Sequence, residues 1–190
     1  MRDIKNQKLL YHLTSVNNIS GILASGLRPR AHLTDFEDVA DQEIIAGRQA
    51  LGLENFVPFH WFSGNPFDGR VQVDRRDELF VLITVRRQLA EQQNWQVIPF
   101  HPLATENIRL LNYREGVAAI DWETMNQREY HDPKCKSICM AECLAPAPVA
   151  PSDFFKIYVP SDDIAKDVRA AMKDLNVWVE VDVNEHMFVK

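Results

Sequence analysis

The run Lys134-Cys-Lys-Ser-Ile-Cys-Met-Ala-Glu-Cys-Leu-Ala-Pro-Ala-Pro148 carries one carboxylate, Glu142, the only acid between Asp132 and Asp153. Ile138, Met140 and Leu144 are its expected buried neighbours, and Pro146 ends the run. Desolvation makes an embedded carboxylate costly unless it is used, because burial raises its pKa and readies it for hydrogen bonding or proton transfer. The plainer alternative is a half-buried strand whose alternation sends Glu142 outward as a solvated face.

Outward from this run, the chain reads as strands separated by a few helices. Lys8 to Thr14 is a short strand, and Ser15 or Asn17 caps a helix whose apolar face is Ile19, Ile22 and Leu23, with Gly26 as its stop. Residues 38 to 53 carry a helical pattern through Val39, Ile44, Ile45 and Leu51. Phe56 to Phe62 is an aromatic strand, followed by a turn-rich loop from Ser63 to Gly69. Leu79 to Val85 is the clearest interior strand, Arg86 to Glu91 a helical turn, and Gln96 to Phe100 another strand. Residues 104 to 111 are ambiguous, and Val117 to Met125 reads as helix or strand. Beyond Glu142 come a strand from Asp153 to Val159, an amphipathic helix from Ser161 to Leu175 with Ser161 as N-cap, and a period-two strand from Val177 to Val183. This order predicts an α+β fold with a mixed or split sheet rather than a doubly wound one.

A chain of 190 residues with 46% apolar content suits one well-buried domain. The charged start lacks the apolar core of a signal peptide, and no window is long and apolar enough to span a membrane, so a soluble cytoplasmic protein without membrane contact is expected. A net charge of −6 argues against broad gripping of duplex nucleic acid but allows a local basic groove. Arginines do cluster: Arg28 and Arg30, then Arg70, Arg75 and Arg76, then Arg86 and Arg87. Each taken singly reads as an ordinary surface residue.

Phosphate-binding glycine loops, the Gly-x-Ser-x-Gly elbow and the His-Glu-x-x-His zinc helix are all missing. Cys135, Cys139 and Cys143 recur every four residues, and with His131 they can be drawn as a zinc set. Their spacing is not that of metal knuckles, and the segment reads as a loop entering a strand. Reduced cysteines commonly behave as small buried hydrophobes, so no metal is expected. His12 ends the first strand beside a strand-to-helix turn, a position where ligand sites often lie, although a lone histidine is more often structural.

The sequence of motifs resembles the DarT family of NAD-dependent ADP-ribosyltransferases, toxins that modify nucleobases. Tyr11-His-Leu-Thr14 with Asn17 to Leu27 resembles the family's opening His-x-Thr strand and helix. Val57-Pro-Phe59, the strand Phe80 to Val85, and Ala141-Glu142 with Val149, Phe155 and Phe188 beyond it resemble the motifs that follow. The resemblance implies an ADP-ribosyltransferase-like split mixed β-sheet core with flanking helices, a single domain over residues 1–190. It implies Glu142 as the catalytic residue, and NAD as co-substrate held by His12 and Thr14. It also implies stacking on nicotinamide or an unstacked base by Phe59, His60 or Trp61. Residues 121 to 141, with Trp122, Arg128, Tyr130 and Lys134, would form the loop that presents the acceptor.

The chain departs from the family where an arginine that helps hold NAD usually follows the Val-Pro-Phe motif. The turn here reads Ser63-Gly-Asn-Pro66, leaving Arg70, or Arg28 or Arg30, as the expected replacement. The implied activity is transfer of ADP-ribose from NAD to a nucleobase of single-stranded nucleic acid, DNA before RNA, in a toxin–antitoxin or phage-defence setting with an antitoxin partner. The alternatives are an RNA-modifying enzyme of the same fold and a catalytically decayed member acting as a binding module.

Overall fold

The computed structural model describes residues 3–34, 36–39, 42–104 and 108–189, without the side chains of Glu43 and Ile44. The expected contribution of Ile44 to a helix face, and part of the ambiguous stretch from 104 to 111, therefore lie outside the described residues. Seven strands form one sheet: β1 (Leu9–Ser15), β2 (Val57–His60), β3 (Phe80–Arg86), β4 (Gln96–Ile98), β5 (Glu142–Ala145), β6 (Phe154–Val159) and β7 (Val181–Val183). Their order across the sheet is β4-β5-β2-β1-β3-β6-β7, antiparallel throughout except for the β6–β7 pair. This is the expected mixed α+β sheet.

The ladder is uneven. β1 pairs with β3 along its whole length, from Leu9 with Arg86 to Ser15 with Phe80, whereas β1 and β2 register only at Tyr11 and His60. The sequence supplies a reason: Pro58 has no N–H to donate to β1, and its carbonyl is taken by the His12 side chain at 2.8 Å. Beyond that pair the two central strands part, and the sheet opens.

Eight helices are described: α1 (Ile19–Ser25), α2 (Gln42–Ala50), α3 (Pro66–Asp74), α4 (Arg87–Gln92), α5 (Tyr113–Ala119), α6 (Trp122–Gln127), α7 (Pro133–Cys139) and α8 (Asp162–Asp174). α8 behaves as expected, with the Ser161 hydroxyl accepting from the Ile164 N–H and Ile164, Ala165, Val168 and Met172 turned inward. Two segments expected to be loops are helical. In α3 the Asn65 side chain accepts from the N–H groups of Phe67 and Asp68, with Pro66 following it. In α7 Asp132 accepts from Lys134 and Cys135, again just before a proline. Asn-Pro and Asp-Pro read as turns, but the same chemistry starts helices: a capping side chain, then a proline whose missing N–H costs nothing.

The strand expected from Val177 shortens to the last three residues of that run, and Trp178 stands 88% exposed. The main core lies on the sheet face of Leu10, Phe59, Val81, Ile83, Cys143 and Ala145, covered by α1 and α8. Tyr11, Leu13, Leu82 and Phe67 gather on the other face, and Ile98 with Leu144 form a third cluster. Cys135, Cys139 and Cys143 are free thiols buried in the main core, and burial pushes Cys139 up to about 12. Among the described residues no helix is long and apolar enough to cross a membrane. Nor does any group of three or more His, Cys, Asp or Glu residues lie placed to hold a metal ion.

One buried acid strains α3. Asp68 is 1% exposed, and among the described residues neither carboxyl oxygen has a hydrogen-bond partner. Burial pushes its pKa up to about 8, against the weaker pull of Asn65 and the Gly64 backbone. Its folded pKa lies above its unfolded value, so the native state holds a proton that the unfolded chain has lost between about pH 4 and 8. Stability therefore falls as pH rises through that window. Asp68→Asn is expected to flatten the fall and to melt above the parent protein at pH 9, with the difference vanishing near pH 4; melting temperatures across that range check it.

Candidate active site

The parting of β1 and β2 opens a cleft of about 610 Å³, within the size range of small-molecule sites. His12 and Thr14 line it from β1, Asn17, Asn18 and Gly21 from the turn and helix that follow, Pro58 and His60 from β2, and Glu142 from β5. Alternation puts His12 and Thr14 on the strand face of the main core and Glu142 on the opposite face. They share one cavity because the sheet is open between them.

His12 donates from Nδ1 to the Pro58 carbonyl, which leaves Nε2 as an acceptor. Burial holds its imidazole below the usual histidine range, with the Arg48 charge pushing the same way. The ring at this position is therefore neutral at pH 7. Phe59, expected to stack on ligand, is instead fully buried behind the cleft, its ring 5.6 Å from His12 and 5.2 Å from Trp95. The alternation of β2 turns Pro58 and His60 to the cleft, and Phe59 braces His12 from the core. Thr14 accepts from the Asn18 side chain at 3.2 Å. Asn18 also clasps the backbone of Glu37, whose carboxylate accepts from Ser15 and Asn17, so residues 36–39 are tied down at the cleft rim.

Glu142 is 6% exposed, and its charge is met by a residue that no sequence pattern singled out. Arg48 of α2 places Nη1 at 2.6 and 2.7 Å from the two carboxylate oxygens. The pair joins positions 94 residues apart, and its side chains are 15% and 7% exposed. Arg48 is the only Lys or Arg between Arg30 and Arg70, as Glu142 is the only acid in its own run; that paired solitude was the available signal. Of the replacements expected for the missing turn arginine, only Arg70 is displaced from the cleft. Arg70 lies on the outer face of α3, its side chain 72% exposed and engaged with Asp74, outside the cleft. Arg28 and Arg30 do line the cleft, with Arg30 paired to Asp38 and lying over the Phe36 ring.

Three buried polar atoms of cleft residues have no hydrogen-bond partner among the described residues: Arg48 Nη2, Glu54 Oε2 and His60 Nδ1. Each costs about 1–3 kcal/mol while unmet. His60 stacks on Phe67 at 5.5 Å, and burial takes its pKa down to about 4, Arg48 adding to the effect while Glu142 and the Ala141 backbone oppose it.

The expected acceptor loop is largely helical, and its residues separate. Trp122 is a core residue, edge-on to Trp61 at 5.3 Å with its indole N–H on the Val117 carbonyl, so it is unavailable for stacking on substrate. Trp61 is buried as well. Arg128 takes the left-handed conformation after α6 and lies over Phe62. Tyr130 donates its hydroxyl to the Gly64 carbonyl, binding this segment to the turn before α3, and Lys134 is exposed in the first turn of α7. Of the arginines read as a possible basic groove, Arg87 is buried and donates to the carbonyls of Leu9, Lys5 and Trp61.

A split mixed sheet, with a neutral imidazole on one central strand and a buried carboxylate across the opening, is the architecture of an ADP-ribosyltransferase. Within that class the chain belongs to the DarT family, described as single-stranded-DNA thymidine ADP-ribosyltransferases, whose profile matches residues 11–189. Similar solved structures include Thermus sp. 2.9 DarT in complex with ADP-ribosylated single-stranded DNA, 17% identical over 96% of each chain with a TM-score of 0.82. The Thermus protein in complex with NAD+ is 16% identical over 97% of this chain and 98% of that one, with a TM-score of 0.77. Thermosipho africanus DarTG in complex with ADP-ribose is 19% identical, with a TM-score of 0.77; the match covers 96% of this chain but 51% of that one. Among curated proteins none matches.

Removing one member of a buried ion pair strands the other, which typically costs about 3–5 kcal/mol, whereas replacing both is far milder. Arg48→Met is therefore expected to be strongly destabilising. The double variant Arg48→Met/Glu142→Gln is expected to recover most of the loss, read as a double-mutant cycle in urea unfolding.

Proposed function

We infer that this chain transfers ADP-ribose from NAD to thymidine in single-stranded DNA at the cleft between β1 and β2, with Glu142 as its catalytic residue. The observation that carries this is the convergence of His12, Thr14, Arg48 and Glu142 on one cavity of about 610 Å³ in a chain of the DarT family. His12 and Thr14 hold the nicotinamide riboside end of NAD. Glu142 binds its ribose hydroxyls and stabilises the oxocarbenium-like centre that forms as the nicotinamide leaves with the bonding electron pair, chemistry akin to glycoside cleavage. The acceptor base then bonds to that carbon and gives its ring N–H proton to Glu142, general-base work worth roughly 10²–10⁴-fold. Arg48 supplies the cation that the Ser63-Gly-Asn-Pro66 turn lacks, and swings from Glu142 toward the dinucleotide phosphates as NAD enters. This favours an active enzyme over a decayed binding module.

A base inside a duplex cannot enter such a cleft, so the target is unpaired or flipped. Arg128, Tyr130 and Lys134, on the segment leading to Glu142, are the residues of this reading that meet the strand. The biological role is that of a toxin held in check by an antitoxin, in the cytoplasm. Its support is the likeness to DarTG, about half of whose chain has no counterpart here.

Glu142→Gln is expected to cut transfer of label from NAD to a thymidine-containing oligonucleotide by at least about 100-fold, assayed below the melting transition that circular dichroism records for the variant, which is lowered because Arg48 loses its partner. His12→Ala is expected to weaken NAD binding about tenfold by calorimetry, the worth of one hydrogen bond. Wild-type transfer by the first variant, or an unchanged dissociation constant in the second, contradicts the assignment.

A further inference from the structure

Four carboxylates line the cleft: Glu37, Asp38, Glu54 and Glu142. Glu37 accepts from Ser15 and Asn17, Asp38 meets Arg30, and Glu142 meets Arg48. Among the described residues Glu54 alone of the four has neither a donor nor a cation. Its Oε2 is enclosed and unmet, so contact with the cavity falls to Oε1, the oxygen that the protein leaves uncovered. The turn beneath it is firmly held. Gly52 opens that turn in the left-handed conformation, at φ 69°, where a side chain would be strained. The Asn55 side chain then donates to the Gly52 carbonyl, the Phe56 N–H donates to the Leu53 carbonyl, and Leu53 packs with Ile98 and Leu144.

The strand register says which end of the cleft this is. β1 and β2 pair at Tyr11 and His60 and part toward Thr14 and Val57. The cleft is therefore narrow beside Glu142, which pairs with His60, and widens toward the turn that precedes Val57. Val57 to His60 spans about 10 Å at the usual rise of a strand, and Glu54 lies three residues further back. A dinucleotide with its nicotinamide riboside against His12 and Glu142 carries its adenosine half toward Glu54. Phe56, and Leu27 with its bridge to Val149 beyond β5, line the same end and offer a flat purine an apolar surface. Sugar hydroxyls taken out of water need an acceptor instead.

We propose that Glu54 is a specificity-determining residue that selects NAD over NADP by accepting a hydrogen bond from the 2′-hydroxyl of the adenosine ribose. The proposal rests on the reading of the cleft as an NAD site. The two dinucleotides differ by one phosphate, carried on that hydroxyl. In NADP the donor is lost and an anion is set against the carboxylate, the logic by which an acidic residue on a ribose hydroxyl excludes NADP in other dinucleotide sites. A carboxylate half enclosed by protein is poorly screened, so the repulsion is strong. Arg28, exposed at the cleft edge, has the opposite preference and would draw the extra phosphate in once the Glu54 charge is gone.

The test titrates the full chain, Glu54→Gln and Glu54→Ala by calorimetry with NAD, NADP and nicotinamide hypoxanthine dinucleotide. Both variants are expected to fold as the parent does, since Glu54 leaves no partner stranded. The parent should bind NAD at least about 100-fold more tightly than NADP, the scale of a like-charge contact near a protein surface. Both variants should narrow that ratio at least about tenfold, chiefly by tightening NADP, while NAD weakens by no more than about tenfold, the worth of one hydrogen bond. The hypoxanthine analogue, which carries an oxygen in place of the adenine amino group, should bind the parent within about threefold of NAD, having lost no contact to Glu54. A smaller ratio in the parent overturns the proposal, as does a ratio that the variants leave in place or a parallel loss of both dinucleotides. A penalty on the hypoxanthine analogue that disappears in Glu54→Gln moves the carboxylate to the base and overturns it too. A parent chain that binds neither NAD nor NADP fails the functional reading itself, a result distinct from all of these.

Discussion

The site depends on a ladder that stops. β1 and β2 lie side by side at the centre of the sheet yet register at one residue pair, because Pro58 cannot donate and its carbonyl is claimed by a side chain. Backbone groups left unpaired at the centre of a sheet are ordinarily costly, and here the opening is paid for by a wall of polar side chains. The hydrogen bond that substitutes for the ladder is made by His12, a residue that also faces the cleft. The device that holds the sheet open thus also orients a ligand-facing imidazole. Phe59, sealed into the core behind that ring, fixes it from the other side.

Electrostatics complete the arrangement. Glu142 is held in an apolar setting by Arg48 at 2.6 Å, and three imidazoles that line the cleft, His12, His60 and His101, are kept below their usual range by burial and by the same guanidinium. Arg48 is thereby the charge that balances this carboxylate and adds to the burial that keeps its neighbours below the usual histidine range. Among the described residues its Nη2 has no hydrogen-bond partner.

What the sequence revealed follows the range over which each signal acts. Glu142 stood out because an acid in an apolar run is anomalous within a dozen residues, and the strand–helix start at His12 and the α8 amphipathicity are equally local. The partnership of Glu142 with Arg48 spans 94 positions, and no periodicity carries that. Aromatic residues misled for a related reason. Phe59 and Trp122 have the chemistry of a stacking platform, but a strand's two-residue alternation turns one inward, and packing on Trp61 takes up the other. The Asn65-Pro66 and Asp132-Pro133 steps were ambiguous locally, since capping and turning use the same side-chain bonds; only tertiary packing chose helix.

If NAD is cleaved in the cleft between β1 and β2, the carboxylate of β5 stands at the reactive carbon. A crystal structure of this chain with carba-NAD+, which cannot lose its nicotinamide, tests that most directly. The expected result puts the nicotinamide ribose hydroxyls within hydrogen-bond distance of Glu142 and the riboside against His12, with Arg48 turned from the carboxylate to the phosphates. A dinucleotide bound elsewhere, or bound in the cleft with its ribose away from a still intact Arg48–Glu142 pair, would contradict it.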